Sequence, residues 1–250
     1  MAEAPEAESP EPAREQRRRV ERHADRDRFV EPGWTLPAHL TKSLGLAAVI
    51  LAAGVWLVQD ASAWHWACVP AFVVAANIVE WAFHRGPMHR PMWPPILYKK
   101  HTLWHHHAFE PGDMAVRSLH ELSIVMMPWY TLLAVFVMAL PVAGLAWLVG
   151  GPALAGVFFV TAIGYFALYE TLHTLYHLPT ATLERLGLAR SALFMALRGH
   201  HAQHHRLGRM ARINFNVTFP LADALFATRE RPTDAALTLD AKGDGSIVAP

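Results

Sequence analysis

The chain has 250 residues, of which 53% are hydrophobic and 17% charged, with a formal net charge of +1. That length suits one domain, or one membrane bundle with tails, and the hydrophobic share leans toward membrane proteins. The near-zero charge argues against a nucleic acid partner. The single cysteine, Cys68, excludes a disulfide framework or a thiolate metal site within one chain.

Residues 1–13 are mostly Ala, Glu and Pro, and they are followed by Arg14, Arg17, Arg18, Arg19, Arg22, Arg26 and Arg28. This is not a signal peptide, and the polar composition predicts a disordered basic tail over residues 1–38. A membrane-embedded unit is expected over 39–228, with a loose C-terminal tail over 229–250. The first apolar run covers 44–58, and the second covers 61–79 and ends at Glu80. From 122 to 169 there are 48 residues without Asp, Glu, Lys or Arg. As one helix they would measure about 72 Å, against a hydrocarbon core of ~30 Å. The run must therefore fold back, with a turn expected at Pro141 or at Gly150-Gly151-Pro152. The expected fold is all-α: a four-span transmembrane helical bundle with a cytoplasmic helical cap.

Orientation follows from the basic residues. All 22 Lys and Arg fall within 1–43, 83–118 and 178–250, and the opposite loops have none. The positive-inside rule then puts both termini and the 83–118 loop in the cytoplasm.

Twelve of the sixteen histidines fall in four blocks, all on that same side. The blocks are His84-x4-His89, His101-x3-His105-His106-His107, His173-x3-His177 and His200-His201-x2-His204-His205. Residues four apart on a helix share a face, so His101 with His105, His173 with His177, and His201 with His205 can each meet one metal. His204 is expected to join that last set. His84 and His89 are five apart, about 140° on an ideal helix, and Gly86-Pro87 predicts a turn that brings them together. Adjacent pairs such as His105-His106 suit two metals side by side. Ten ligands, His84, His89, His101, His105, His106, His173, His177, His201, His204 and His205, are too many for one ion. Imidazole alone does not choose among zinc, copper, iron and nickel. His107, His120 and His200 remain additional ligand candidates. Glu80, Glu170 and Asp223 are candidates to hydrogen-bond the ligating rings, although Asp223 also suits a helix cap.

These blocks resemble the fatty acid hydroxylase/sterol desaturase superfamily, whose pattern is His-x(3–4)-His, His-x(2–3)-His-His and a final His-x(2–3)-His-His. The extra His173-x3-His177 pair and the segment from Asn214 to Thr228 look most like its fatty acid 2-hydroxylase branch. The likeness spans roughly residues 70–228. It implies a non-haem centre of two iron ions on those ten histidines, with zinc as a substitute, which uses O2 to attack an unactivated C–H bond of a membrane lipid. No fused haem electron-carrier domain is expected, so the resemblance implies a separate carrier and reductase. Trp104, Tyr169 and Tyr176 are candidates to line the lipid's path. The second block departs from that branch by carrying three intervening residues where it usually has two. Sterol or carotenoid hydroxylation or desaturation on the same scaffold is the alternative within enzymes. From another class, the alternative is a metal-binding or metal-transport membrane protein, which would place its ligands along a path at mid-membrane.

Overall fold

The computed structural model describes residues 10–231, and the expectations for 1–9 and 232–250 lie outside them. Among the described residues there are helices and no strand, only an isolated bridge between Glu110 and Asp113. The α-helices are α1 (Pro10–Phe29), α2 (Leu36–Leu57), α3 (Ala63–Ala67), α4 (Val69–Phe83), α5 (Pro95–Tyr98), α6 (His106–Ala108), α7 (Leu122–Val125), α8 (Trp129–Tyr176), α9 (Thr180–Arg185), α10 (Ala192–His204) and α11 (Leu221–Leu225). Two π-helical turns, His84–Met88 and Lys99–His105, follow α4 and α5.

Three helical stretches are long and apolar enough to cross a membrane: Leu36–Leu57, Ala63–Met88 and Leu119–Tyr176. The first is started by Thr35, whose hydroxyl accepts from the Ala38 N–H, with Pro37 in the first turn where its missing N–H costs nothing. Many apolar side chains of these stretches point outward, with Val49 68% and Leu148 84% exposed. A belt of that kind is suited to lipid rather than water. The chain is thus an integral membrane protein by the length and composition of its helices.

The long uncharged run folds back at Gly150 and Gly151, not at Pro141, which stays inside the helix. Gly151 has φ +68°, a conformation that a side chain disfavours. The break is also secured from outside. His65 accepts the Ser62 N–H at Nδ1, which leaves its Nε2–H to donate to the Gly150 carbonyl at 3.2 Å. Leu132 and Phe136 of the first arm pack with Ile163 of the second, and Ala143 and Ala146 with Leu154 and Phe158. The arms are therefore antiparallel. Gly156 lets α2 approach the second arm, since a Cβ there would sit 2.7 Å from Leu57 Cβ and 2.9 Å from the Gly54 carbonyl.

The N-terminal expectation is corrected over residues 10–29. They form α1, a helix, with Arg22 6% and Arg26 0% exposed. The composition has little apolar surface to bury, and Val20 points outward. The helix is held instead by its arginines. Arg22 pairs with Glu110 at 3.2 Å and Asp113 at 3.3 Å, while Asp27 pairs with Arg117 at 2.7 Å.

Candidate metal centre

The four histidine blocks meet at one end of the bundle, where α4 and α8 finish and α10 brings in the last block. The ten histidines form two groups. In each, one ring nitrogen per residue lies within 4.8 Å of all the others. The first group is His84, His89, His101, His106 and His204, and the second is His105, His173, His177, His201 and His205. None of the ten is more than 6% exposed. The groups share a wall, with the His106 ring of the first stacked on the His205 ring of the second at 4.3 Å.

Local helix geometry explains this sorting. His173 and His177 fall in one group, as spacing on an α-helix predicts, and so do His201 and His205. His101 and His105 are separated, which corrects the expected pairing. Residues 99–105 are π-helical, and an i→i+5 register brings His101 to the side of His106 instead. The turn expected at Gly86-Pro87 is likewise a π-helical one, and it carries His84 and His89, also five apart, into one group. His204 joins the first group rather than its neighbours His201 and His205.

The far side of five of the ten rings is fixed by the backbone. His84 Nδ1 meets the Phe215 carbonyl, His204 the Ile213 carbonyl at 2.8 Å and His205 the Phe109 carbonyl at 2.8 Å. His177 meets Met114 at 2.8 Å and His105 meets Ile124 at 3.1 Å. A carbonyl only accepts, so each of these Nδ1 atoms carries the proton and each Nε2 is a bare lone pair. His89 reaches the same state through Thr102, whose hydroxyl donates to the Met88 carbonyl and so accepts from His89 Nδ1–H at 3.1 Å.

The consequence is electrostatic. Nε2 of His105 lies 3.1 Å from Nε2 of His205, and Nε2 of His89 lies 3.0 Å from Nε2 of His204. Within each pair both atoms are acceptors, so no hydrogen bond joins them and their lone pairs repel. A cation between them reverses the sign. Two nitrogens about 2.1 Å from one ion and at a right angle are about 3 Å apart, so the donor set fits a metal in each group. Burial also keeps the rings neutral. It pushes His89 down to about 2 and His205 to about 3, and it lowers His101, His105, His106, His177, His201 and His204 well below the ordinary imidazole range.

The remaining candidates fall elsewhere. His107 and His120 are exposed and outside both groups, and His200 turns away to Asp223 at 3.1 Å. Glu80 touches no ligand ring. Its carboxylate accepts from the N–H of Val217 and Thr218 and from the hydroxyls of Tyr165 and Thr218. Glu170 accepts from the Met127 N–H at 3.3 Å rather than from His173 or His177. Asp223 is not a helix cap; besides His200 it accepts from the N–H groups of Phe215 and Asn216 and from Thr228. Glu80 and Asp223 therefore fix the 215–218 backbone, whose Phe215 carbonyl orients His84. Sequence reasoning missed the orienting groups because backbone carbonyls have no residue signature.

A cavity of about 370 Å³ runs from His84 between α4 and both arms of α8. Val79, Phe83, Phe136, Phe158 and Phe166 give it apolar walls, and Glu80, Tyr165 and Tyr169 lie toward the histidine end. Tyr169 is thus on its wall. Trp104 is not, and Tyr176 is fully buried with its hydroxyl donating to the Val217 carbonyl at 3.1 Å.

A family model described as fatty acid hydroxylase matches residues 69–228. No curated protein and no solved structure matches the chain.

Proposed function

The chain belongs to the fatty acid hydroxylase family, and from that premise we propose that it is a membrane lipid hydroxylase using O2 and two iron ions, one in each histidine group. Such enzymes are oxidoreductases of the hydroxylase and desaturase type. The single observation that carries the reading is the apolar cavity that ends on His84, a member of the first group. Its volume lies within the range of ligand pockets. An acyl chain entering from the bilayer would lie against Val79, Phe136 and Phe158, with its reacting carbon near His84.

The metals would supply the redox chemistry that activates O2, which zinc does not. The protein's own share is placement. The cavity walls hold the chain in one line, which converts a random encounter into a positioned one. The carbonyls of Phe215, Ile213, Phe109, Met114 and Ile124 keep Nδ1 protonated on five rings, so each Nε2 stays available for metal. Five nitrogens per group exceed the four of a closed zinc site, which supports iron as the resident metal.

The same reading takes the two arms of α8 as separate spans, four in all, with the histidine end in the cytoplasm. The distribution of Lys and Arg supports that orientation. Electrons would come from a separate carrier and reductase.

Lipid mass spectra of cells expressing the protein, compared with cells expressing His204→Ala at equal membrane levels, test the reading. A lipid class that gains one oxygen only with the intact protein is the expected result and names the substrate. Loss of two hydrogens without added oxygen would move the assignment to a desaturase. No difference, with metal bound and reductant supplied, would overturn the acyl substrate and direct the test to sterols and carotenoids.

A further inference from the structure

We infer that α1, which lies outside the family-matched residues 69–228, is a clamp that holds the second histidine group in ligating geometry through Arg26. The inference rests on the metal reading above and adds a positioning residue to it.

Arg26 is fully buried, and its guanidinium grips one loop at three points. Nε donates to the Ala108 carbonyl at 2.7 Å, one terminal nitrogen to Ala115 at 2.9 Å and the other to Asp113 at 2.5 Å. The guanidinium carbon also sits 4.4 Å over the Phe109 ring. The gripped stretch, 108–115, contains the two carbonyls that orient His205 and His177, those of Phe109 and Met114. The Phe109 ring itself packs on His177 at 4.6 Å and His105 at 5.5 Å. Three of the five rings of the second group thus rest on the segment that Arg26 holds.

The first group has different supports. His84 and His204 are oriented by Phe215 and Ile213, and His89 by Thr102. None of these lies in 108–115. The orienting partners of the two groups thus lie on separate segments, and Arg26 grips only the one that serves the second group.

Energetics point the same way. A buried guanidinium must recover a large desolvation cost from its partners. Here they are three carbonyls, Asp113 at 3.3 Å and Glu121 at 3.5 Å. A planar fork with five donors can bind diverging acceptors in that way, and a lysine ammonium cannot.

The test uses the full chain in detergent, stripped of metal and reloaded with Co(II), with release into excess chelator followed by absorbance. Wild type is expected to release two ions. In Arg26→Gln one of them is expected to bind about ten-fold more weakly, the lower end of the usual cost of losing a ligand's orienting partner, while the other is unchanged. His89→Ala removes a ligand of the first group, so adding Arg26→Gln to it should weaken all the Co(II) that remains. Arg26→Lys should weaken the same ion by less. Equal weakening of both ions, or of neither, overturns the clamp while leaving the metal reading intact. A wild type that takes up no Co(II) overturns both. Should Arg26→Gln fail to fold, hydrogen exchange in Arg26→Lys decides: faster exchange at the 109–116 amides is expected, and unchanged exchange overturns the clamp.

Discussion

The Asp223 carboxylate accepts the N–H of Phe215 at 2.9 Å, and the carbonyl of that same Phe215 accepts the Nδ1–H of His84. A single peptide segment thus transmits the position of a buried acid to a histidine of the first group. Asp223→Asn replaces a charged acceptor of four hydrogen bonds with a neutral one. The expected outcome is a loss of about 2 kcal/mol in unfolding free energy, with about ten-fold weaker metal binding confined to the first group. Denaturant unfolding and chelator release in detergent measure the two effects. Weakening at the second group instead would contradict this route of support.

Adjacent histidines should behave as ligands of different ions. His204→Ala and His205→Ala are each expected to lower the bound metal by about one ion per chain, and the double variant to remove both. Elemental analysis of purified protein reads this directly. Loss of both ions from either single variant would mean that the groups are not independent.

The cavity should set chain length. Ala76 lines it eight residues before His84, about 12 Å along α4. Ala76→Phe should block that far end, lowering turnover of the longest acyl chains about ten-fold or more while sparing shorter ones. Product profiles by mass spectrometry check it. A uniform fall across chain lengths would argue that the cavity does not hold the acyl chain.

Helix approach at Gly156 should be sensitive to any side chain. Gly156→Leu places atoms where Leu57 Cβ and the Gly54 carbonyl already lie. A loss of about 1–3 kcal/mol is expected from overpacking, read from thermal unfolding in detergent. An unchanged midpoint would show that α2 can move away freely.

Acid should weaken both braces of the centre. Burial pushes Asp113 up, but Arg26, His23 and Arg22 outweigh it and hold its carboxyl below the ordinary value. Burial likewise pushes Asp223 up, and hydrogen bonds from His200, Thr228 and the Asn216 N–H hold it down. An unfolded Asp titrates near 3.9, so below about pH 4 the unfolded chain binds more protons than the folded one. The stability from these carboxylates is complete above that pH and lost as pH falls through the folded values. The pH dependence of unfolding between about 6 and 3 should be shallower in Asp223→Asn than in wild type. Parallel curves would remove Asp223 from the account.

Much of this protein was legible in its sequence. The uncharged run of 122–169 required a fold-back on length alone, and Gly150-Gly151 was among the places where a helix breaks most readily. The ten histidines stood out because imidazoles in four blocks on one predicted face form the ligand pattern of a metal centre. Their sorting was only partly legible. His173 and His177 share a group by α-helical spacing, but His101 changes sides because its turn is π-helical, and no residue type announces a π turn.

The sequence by itself determined what depends on local pattern: apolar length, basic asymmetry and ligand-bearing motifs. Tertiary structure alone decided which histidines face each other and which carbonyls orient them, because many of these contacts join residues distant in sequence, such as His205 and Phe109, 96 apart. It also decided the state of residues 10–29. A segment with so few apolar residues reads as disordered until the partners of Arg22 and Arg26 are in view. Apart from Glu15 on the same helix, those partners lie more than eighty residues away, and only the folded chain brings them within reach of a guanidinium.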